Sequence, residues 1–151
     1  MRAGAVYLSD EYGVFDARGR GHPYPKPLSI RSGGEPRRCL PSELGATVGT
    51  RSLPVALVVL TKFRPGARWR PVALSQGQAV LAKMSHALCA RTRPASVLAT
   101  LARATAQAAA LKTLRGETEG VARSIAEFVA GLNRNPVPLA LMNRGEVVSW
   151  R

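Results

Sequence analysis

Apolar and polar positions alternate in period along this chain, and each change of period marks an element. Residues Ala5-Val6-Tyr7-Leu8 are an apolar run that ends in Asp10 and Glu11. A run of this length between polar residues predicts a short buried strand. A second run, Val55 to Phe63, is continuous and rich in β-branched residues. That pattern predicts a strand buried on both faces, in the same sheet as residues 5–8. Between the two lies a punctuated region. Asp16-Ala17-Arg18-Gly19 has turn chemistry, with Asp to cap and Gly to accept positive φ, and predicts a hairpin. Pro23, Pro25 and Pro27 keep the next segment extended and without donors, which suits an edge. Residues 32–53 read as irregular, with an exposed loop at Ser32 to Arg38.

After the second strand the period becomes helical. Ser75-Gln76-Gly77-Gln78 matches a capping box. Val80, Leu81, Met84, Ala87 and Leu88 follow it on one predicted face. Pro94 opens a second helix, with Val97, Leu98, Leu101, Ala104 and Ala108 as its stripe. The short Thr92-Arg93 connection makes the two helices neighbours. Ala109 to Leu114 predicts a strand, Arg115-Gly116-Glu117 a turn, and residues 118–132 a third helix with Val121, Ile125, Phe128, Val129 and Leu132 on one side. Leu139 to Met142 and Val147 to Trp150 pattern as a hairpin or as a tail. The fold class is therefore α/β: a mixed sheet with packed helices.

Composition changes the picture in two places. The 151 residues suit one core, and no run approaches the ~20 apolar residues of a membrane span. With no signal peptide evident at the N-terminus, the expected compartment is the cytoplasm. Cys39 and Cys89 are far apart and give neither a disulfide framework nor, with His22 and His86, a zinc spacing. The net charge of +13, from 22 basic and 9 acidic residues, raises the prospect of nucleic acid. The excess is spread evenly: 12 basic and 5 acidic residues fall in 1–74, and 10 and 4 in 75–151. A solvated basic surface is the preferred reading, with a nucleic-acid-binding module kept as an alternative.

Candidate chemistry sits where the two strands end, since ligands of open α/β sheets bind at the carboxyl ends of strands. Asp10 and Glu11 follow the first. The segment Lys62 to Arg70 follows the second and is the densest basic cluster, interleaved with Phe63 and Trp69. Arginines there suit bidentate capture of phosphate oxygens.

Ser9-Asp10-Glu11-Tyr12, the turn from Asp16 to Gly19, and His22-Pro23-Tyr24-Pro25-Lys26-Pro27-Leu28-Ser29-Ile30-Arg31 carry a resemblance. So do Pro54 to Phe63, Arg64-Pro65-Gly66-Ala67-Arg68-Trp69 and Arg115-Gly116-Glu117. Together they resemble the HPr serine kinase-related proteins, P-loop relatives of HPr kinase/phosphorylase and phosphoenolpyruvate carboxykinase. The resemblance covers most of residues 3–132 and implies a kinase-like domain over 1–132, with 133–151 as an extension or hairpin. It implies transfer of phosphate from ATP, with Mg²⁺, to a protein serine. Asp10 would be the general base and Glu11 a second catalytic acid and Mg²⁺ ligand. Arg64 and Arg68 would bind phosphate or substrate.

One departure dominates. The family's G-x-x-x-x-G-K-[ST] motif precedes its acidic strand, and this sequence contains none. Met1-Arg2-Ala3-Gly4 looks like the last turn of the helix that follows that motif. The expectation is a truncated kinase-like protein that is inactive by itself and binds no ATP or Mg²⁺ tightly. Its partners would be a protein substrate or a partner subunit, with no membrane role. The alternative is a non-catalytic interaction remnant, self-associating through the sheet edge that a lost βα unit exposes.

Overall fold

The computed structural model describes residues 4–30 and 35–134. The candidate hairpin at 139–150 lies outside them, as does most of the 133–151 extension. Eleven elements follow in order: β1 (Val14–Phe15), β2 (Gly21–His22), β3 (Leu28–Ile30), β4 (Arg37–Cys39), a 3-10 turn (Pro41–Leu44), β5 (Leu57–Phe63), β6 (Val72–Ala73), α1 (Gln76–Met84), α2 (Pro94–Thr105), β7 (Ala109–Arg115) and α3 (Thr118–Arg134). Mixed parallel and antiparallel pairing with packed helices makes the fold α/β, as the sequence pattern predicts.

The main sheet has the order β5-β7-β6. β5 and β7 run parallel over seven residues, from Leu57 opposite Ala109 to Phe63 opposite Arg115. β6 closes the other side of β7 antiparallel, with Val72 opposite Lys112. A parallel pair requires a long crossover, and here residues 64–108 supply it, carrying β6, α1 and α2. The central position of β7 explains its burial: Ala109, Ala110, Leu111 and Thr113 are all buried.

Side-chain size sets how closely the helices approach. Val58, Ala79, Ala108 and Ala110 form the buried cluster, with Val55, Leu60 and Leu74 packed against it. Alanine on both facing surfaces lets α1 lie close to the sheet. The predicted capping box fixes where that helix begins. Ser75 Oγ accepts from Gln78 N–H at 3.2 Å, and Gln78 Oε1 accepts from Ser75 N–H at 2.9 Å. Two of the four orphan N-terminal donors are met in this way. Pro94 stands in the first turn of α2 as expected, and α1 and α2 pack together.

Residues 4–56 are built differently. β1 and β2 pair antiparallel around the Asp16–Gly19 turn. β3 and β4 form a second ribbon. Gly21 bridges Leu53, and Tyr7 bridges Val48 in parallel.

Four expectations are corrected. Residues 5–8 do not join the main sheet: only Tyr7 makes a bridge, to Val48, and Val6 is 53% exposed. The run pairs instead with residues 47–49, through Tyr7 N–H to Thr47 O and Gly49 N–H to Tyr7 O. β5 is not buried on both faces, since only Val58 is buried and Thr61 to Phe63 are exposed. Val58 is the β5 residue in the buried cluster with Ala79 of α1, while the carboxyl half of the strand runs out to solvent. Third, α1 stops at Met84, so Leu88 leaves the predicted stripe and is 80% exposed, while Leu81 is 69% exposed. Finally, Leu98 of α2 is also exposed. The narrow alanine-lined contact uses less of each helix than the periodicity offers.

Candidate functional site

The two acids follow directly on the Tyr7 bridge. Tyr7 N–H donates to Thr47 O and Gly49 N–H donates to Tyr7 O, both at 2.8 Å. This pins the start of the chain to 47–49. Tyr24 N–H then donates to Leu8 O at 2.8 Å, and Tyr7 Oη donates to Lys26 O at 3.1 Å. The proline-rich segment is therefore drawn alongside the acids. Within the acidic turn, the Ser9 hydroxyl donates to Tyr12 O.

The consequence is a partner that sequence reasoning missed. Lys26 Nζ lies 2.5 Å from Glu11 Oε2 and 5.0 Å from the centre of the Tyr12 ring. The hydrogen bond to Glu11 holds the Lys26 ammonium above its ordinary pKa, with burial opposing and the charges of Glu11 and Asp10 and the Tyr12 hydroxyl assisting. Burial first, and Asp10 second, push the Tyr7 phenol up, while Lys26 pulls it down. Asp10, itself exposed, belongs to this same charged cluster. The signal for Lys26 is non-local: it stands 15 positions after Glu11, inside a segment whose prolines read as an edge and which carries part of the resemblance.

Asp10 and Glu11 are the right type of donor for Mg²⁺, which takes one or two carboxylates together with substrate phosphates and waters. A cation at Glu11 would displace the Lys26 ammonium from Oε2. Among the described residues no group of three or more His, Cys, Asp or Glu side chains could hold a metal ion. For ATP the residues do not fit. Gly33-Gly34 lack the Gly-Lys-Ser/Thr ending, and Gly19 serves a hairpin turn, so neither glycine stretch has the make-up of a phosphate-cradling P-loop.

The arginines belong to the other part of the molecule. Parallel pairing brings the carboxyl ends of β5 and β7 together, with Phe63 opposite Arg115. Arg64 N–H donates to Arg115 O at 2.9 Å, and Ala67 N–H to Arg64 O at 3.1 Å. Gly66 takes the left-handed conformation, φ 68°. The loop folds so tightly on β7 that a Cβ at Gly116 would meet Ala67 O at 2.5 Å. Arg70 N–H donates to Thr113 Oγ1 at 3.3 Å. Arg64 and Arg68 thus stand exposed on a loop stitched to the end of β7.

Arg115 joins them, its guanidinium 5.2 Å from the centre of the Phe63 ring. In the sequence Arg115 belongs to a turn segment that carries part of the resemblance, with no phosphate-binding role attached to it. It lines a cavity of about 260 Å³ with Thr118, Val121, Ala122 and Ile125, at the start of α3. The acids are anchored by 24–26 and 47–49, the arginines by β7. Trp69 is half-buried beside this loop. His22 pairs with Asp16 at 3.0 Å.

The arrangement defines an α/β domain with a basic carboxyl end to its parallel strands. No family model matches the chain, and neither the curated proteins nor the solved structures include a match. Among the described residues no helix is long and apolar enough to cross a membrane.

Proposed function

We propose that this chain is an HPr kinase-like domain, akin to proteins that transfer phosphate from ATP to a protein serine, and that by itself it transfers none. One observation carries the reading. The parallel β5–β7 pair brings the Arg64–Arg68 loop and Arg115 to one carboxyl edge, where α/β sheets bind ligands. Such an edge suits phosphate oxygens. Phosphoryl transfer needs more: fixed amides, a lysine and Mg²⁺ to position the β- and γ-phosphates in line. The sequence has no Walker A motif. Of the two acids, Glu11 is engaged by Lys26, while Asp10 retains the exposure a general base needs.

Calorimetry with ATP, with and without Mg²⁺, tests this on the purified chain. The expected outcome is weak binding that Mg²⁺ does not strengthen, and no transfer to serine. Tight, Mg²⁺-dependent binding with turnover sinks the proposal.

A second reading, a non-catalytic interaction module, has one observation in its favour. β5 has β7 on one flank and no described strand on the other, leaving backbone donors and acceptors available for strand addition. Sedimentation would separate the two readings: concentration-dependent self-association supports the edge, and a monomer at all concentrations counts against it.

A further inference from the structure

The opposite end of the sheet holds a second basic feature. A cleft of about 390 Å³ is lined by Arg18, Gly19, Arg20, Pro54, Val55, Arg103, Ala104 and Gln107. Pro54 and Val55 lead into β5, and Ala104 and Gln107 lead into β7, so the cleft opens at the amino end of the parallel pair. Its volume lies within the ~300–1,000 Å³ usual for small-molecule sites. Three arginines are among its lining residues, and no Asp or Glu is.

The cleft is constructed by a close approach. Gly19 has φ 80°, and a Cβ on it would lie 2.4 Å from Ala104 N and 2.7 Å from the Arg103 carbonyl carbon. Only glycine lets the hairpin tip sit on the last turn of α2. Seating it there puts Arg18 and Arg20 on either side of the contact, facing the cleft that Arg103 also lines.

Donors remain to spare. Arg20 uses Nε and Nη2 on Ser52, at 3.2 and 2.6 Å, and keeps Nη1. Arg103 uses Nη1 on Ala17 O at 2.9 Å, and keeps Nη2 and Nε. Arg18 donates no side-chain hydrogen bond to another described residue. The acid of the same turn is hydrogen-bonded: Asp16 Oδ1 accepts from the backbone N–H of Arg18 and Arg20, both at 2.9 Å, and Oδ2 contacts His22. The carbonyls at the end of α2, which would repel an anion, are also engaged. Arg103 O accepts from Ala106 N–H, Thr105 O from Ala108 N–H, and Ala106 O from Gln76 Nε2.

We propose that this cleft binds a small phosphate monoester through Arg18, Arg20 and Arg103, with Gln107 beside the ester group. Three arginines along one cleft offer donors enough for the three terminal oxygens of a dianionic phosphate, where a carboxylate presents two. A cleft whose charged lining is of one sign concentrates such an anion. The assignment is independent of the kinase-like reading, because it uses the other end of the sheet and none of Asp10, Glu11, Arg64 or Arg68.

The test is a titration of the full chain with phenyl phosphate, inorganic phosphate and acetate at constant ionic strength, read by the amide resonances of Gly19, Arg20 and Ala104. Saturable shifts are expected, tightest with phenyl phosphate and weakest with acetate. Arg18→Gln should weaken binding about tenfold, as for loss of a charge-assisted contact. Arg18→Lys, which keeps charge but loses the fork, should fall between. Arg91→Gln removes the same charge from an exposed turn outside the cleft and should leave binding unchanged. No saturable shift, equal binding of acetate, or equal weakening by Arg91→Gln and Arg18→Gln would each overturn the site. Inorganic phosphate binding as tightly as phenyl phosphate overturns the ester and leaves a bare anion.

Discussion

Residues 57–134 and residues 4–56 hold their shapes by different means. The first region has two seven-residue strands in continuous register, three α-helices and most of the buried apolar side chains. The second has strands of two or three residues, and among its described residues the buried apolar side chains are Tyr7, Cys39, Pro41 and Ala46. Its order comes instead from isolated bridges, from Asp16 capping its own turn and from Arg20 on Ser52. Apolar burial is cooperative and non-directional, at roughly 25 cal/mol per Å². A side-chain hydrogen bond contributes only ~1 kcal/mol net and depends on geometry. The helix-backed half should therefore set global stability, and the other half should be able to loosen locally.

The largest effect should come from the centre of the better-packed half. Leu111 is 2% exposed on the central strand. Leu111→Ala should cost ~2–5 kcal/mol, measured by urea denaturation. A loss well under 1 kcal/mol would erase the contrast between the halves.

Gly19→Ala comes next and sharpens the comparison, because it strikes the joint between the two regions. The positive φ costs ~1–2 kcal/mol and the contact with the α2 backbone ~1–3 kcal/mol. The hairpin can relieve much of that by lifting away. Hydrogen exchange should show amides of 14–22 losing protection while β5 and β7 keep theirs. Uniform loss across both halves would mean that they unfold as one unit.

The smallest effect is electrostatic. The hydrogen bond from His22, and after it the backbone N–H of Arg20, lower the Asp16 carboxyl from its ordinary value to about 2. A depressed folded-state pKa means that the unfolded chain binds the proton first as pH falls. The contribution of Asp16 is complete above the ordinary carboxylate range of about 4 and is lost as pH drops toward about 2. The carboxylate is partly exposed, so solvent screens it and the effect should be slight. Asp16→Asn should flatten the stability profile across that window alone. An unchanged slope there would assign acid sensitivity to other carboxylates.

The readings that succeeded from sequence were local ones. The capping box at Ser75, the proline start of α2, the turn at Asp16 to Gly19 and the strand at 109–114, which the structure extends to Arg115, each depend on residues within a few positions of one another. The acid–lysine contact of Glu11 with Lys26, and the meeting of Arg64 with Arg115, depend on separations of 15 and 51 positions. No periodicity encodes such contacts. The exposed Leu81 and Leu88 fail for a related reason: a helical stripe states which residues are available for burial, not how wide the neighbouring surface is.

By itself, then, the sequence determined the types of the longer elements from β5 onward, the basic character of the chain and the acids and arginines that follow its apolar runs. Those follow from backbone sterics, capping and hydrophobic period, which act over one or two turns. Tertiary structure decided the partners: that Tyr7 bridges Val48 and stays out of the main sheet, that β5 is an edge, that Lys26 meets Glu11, and that Gly19 seats three arginines around one cleft. These are contests between distant segments for the same flank or the same surface. They are settled by which pairing keeps the longest register and buries the most apolar area, a comparison that exists only once the chain has folded.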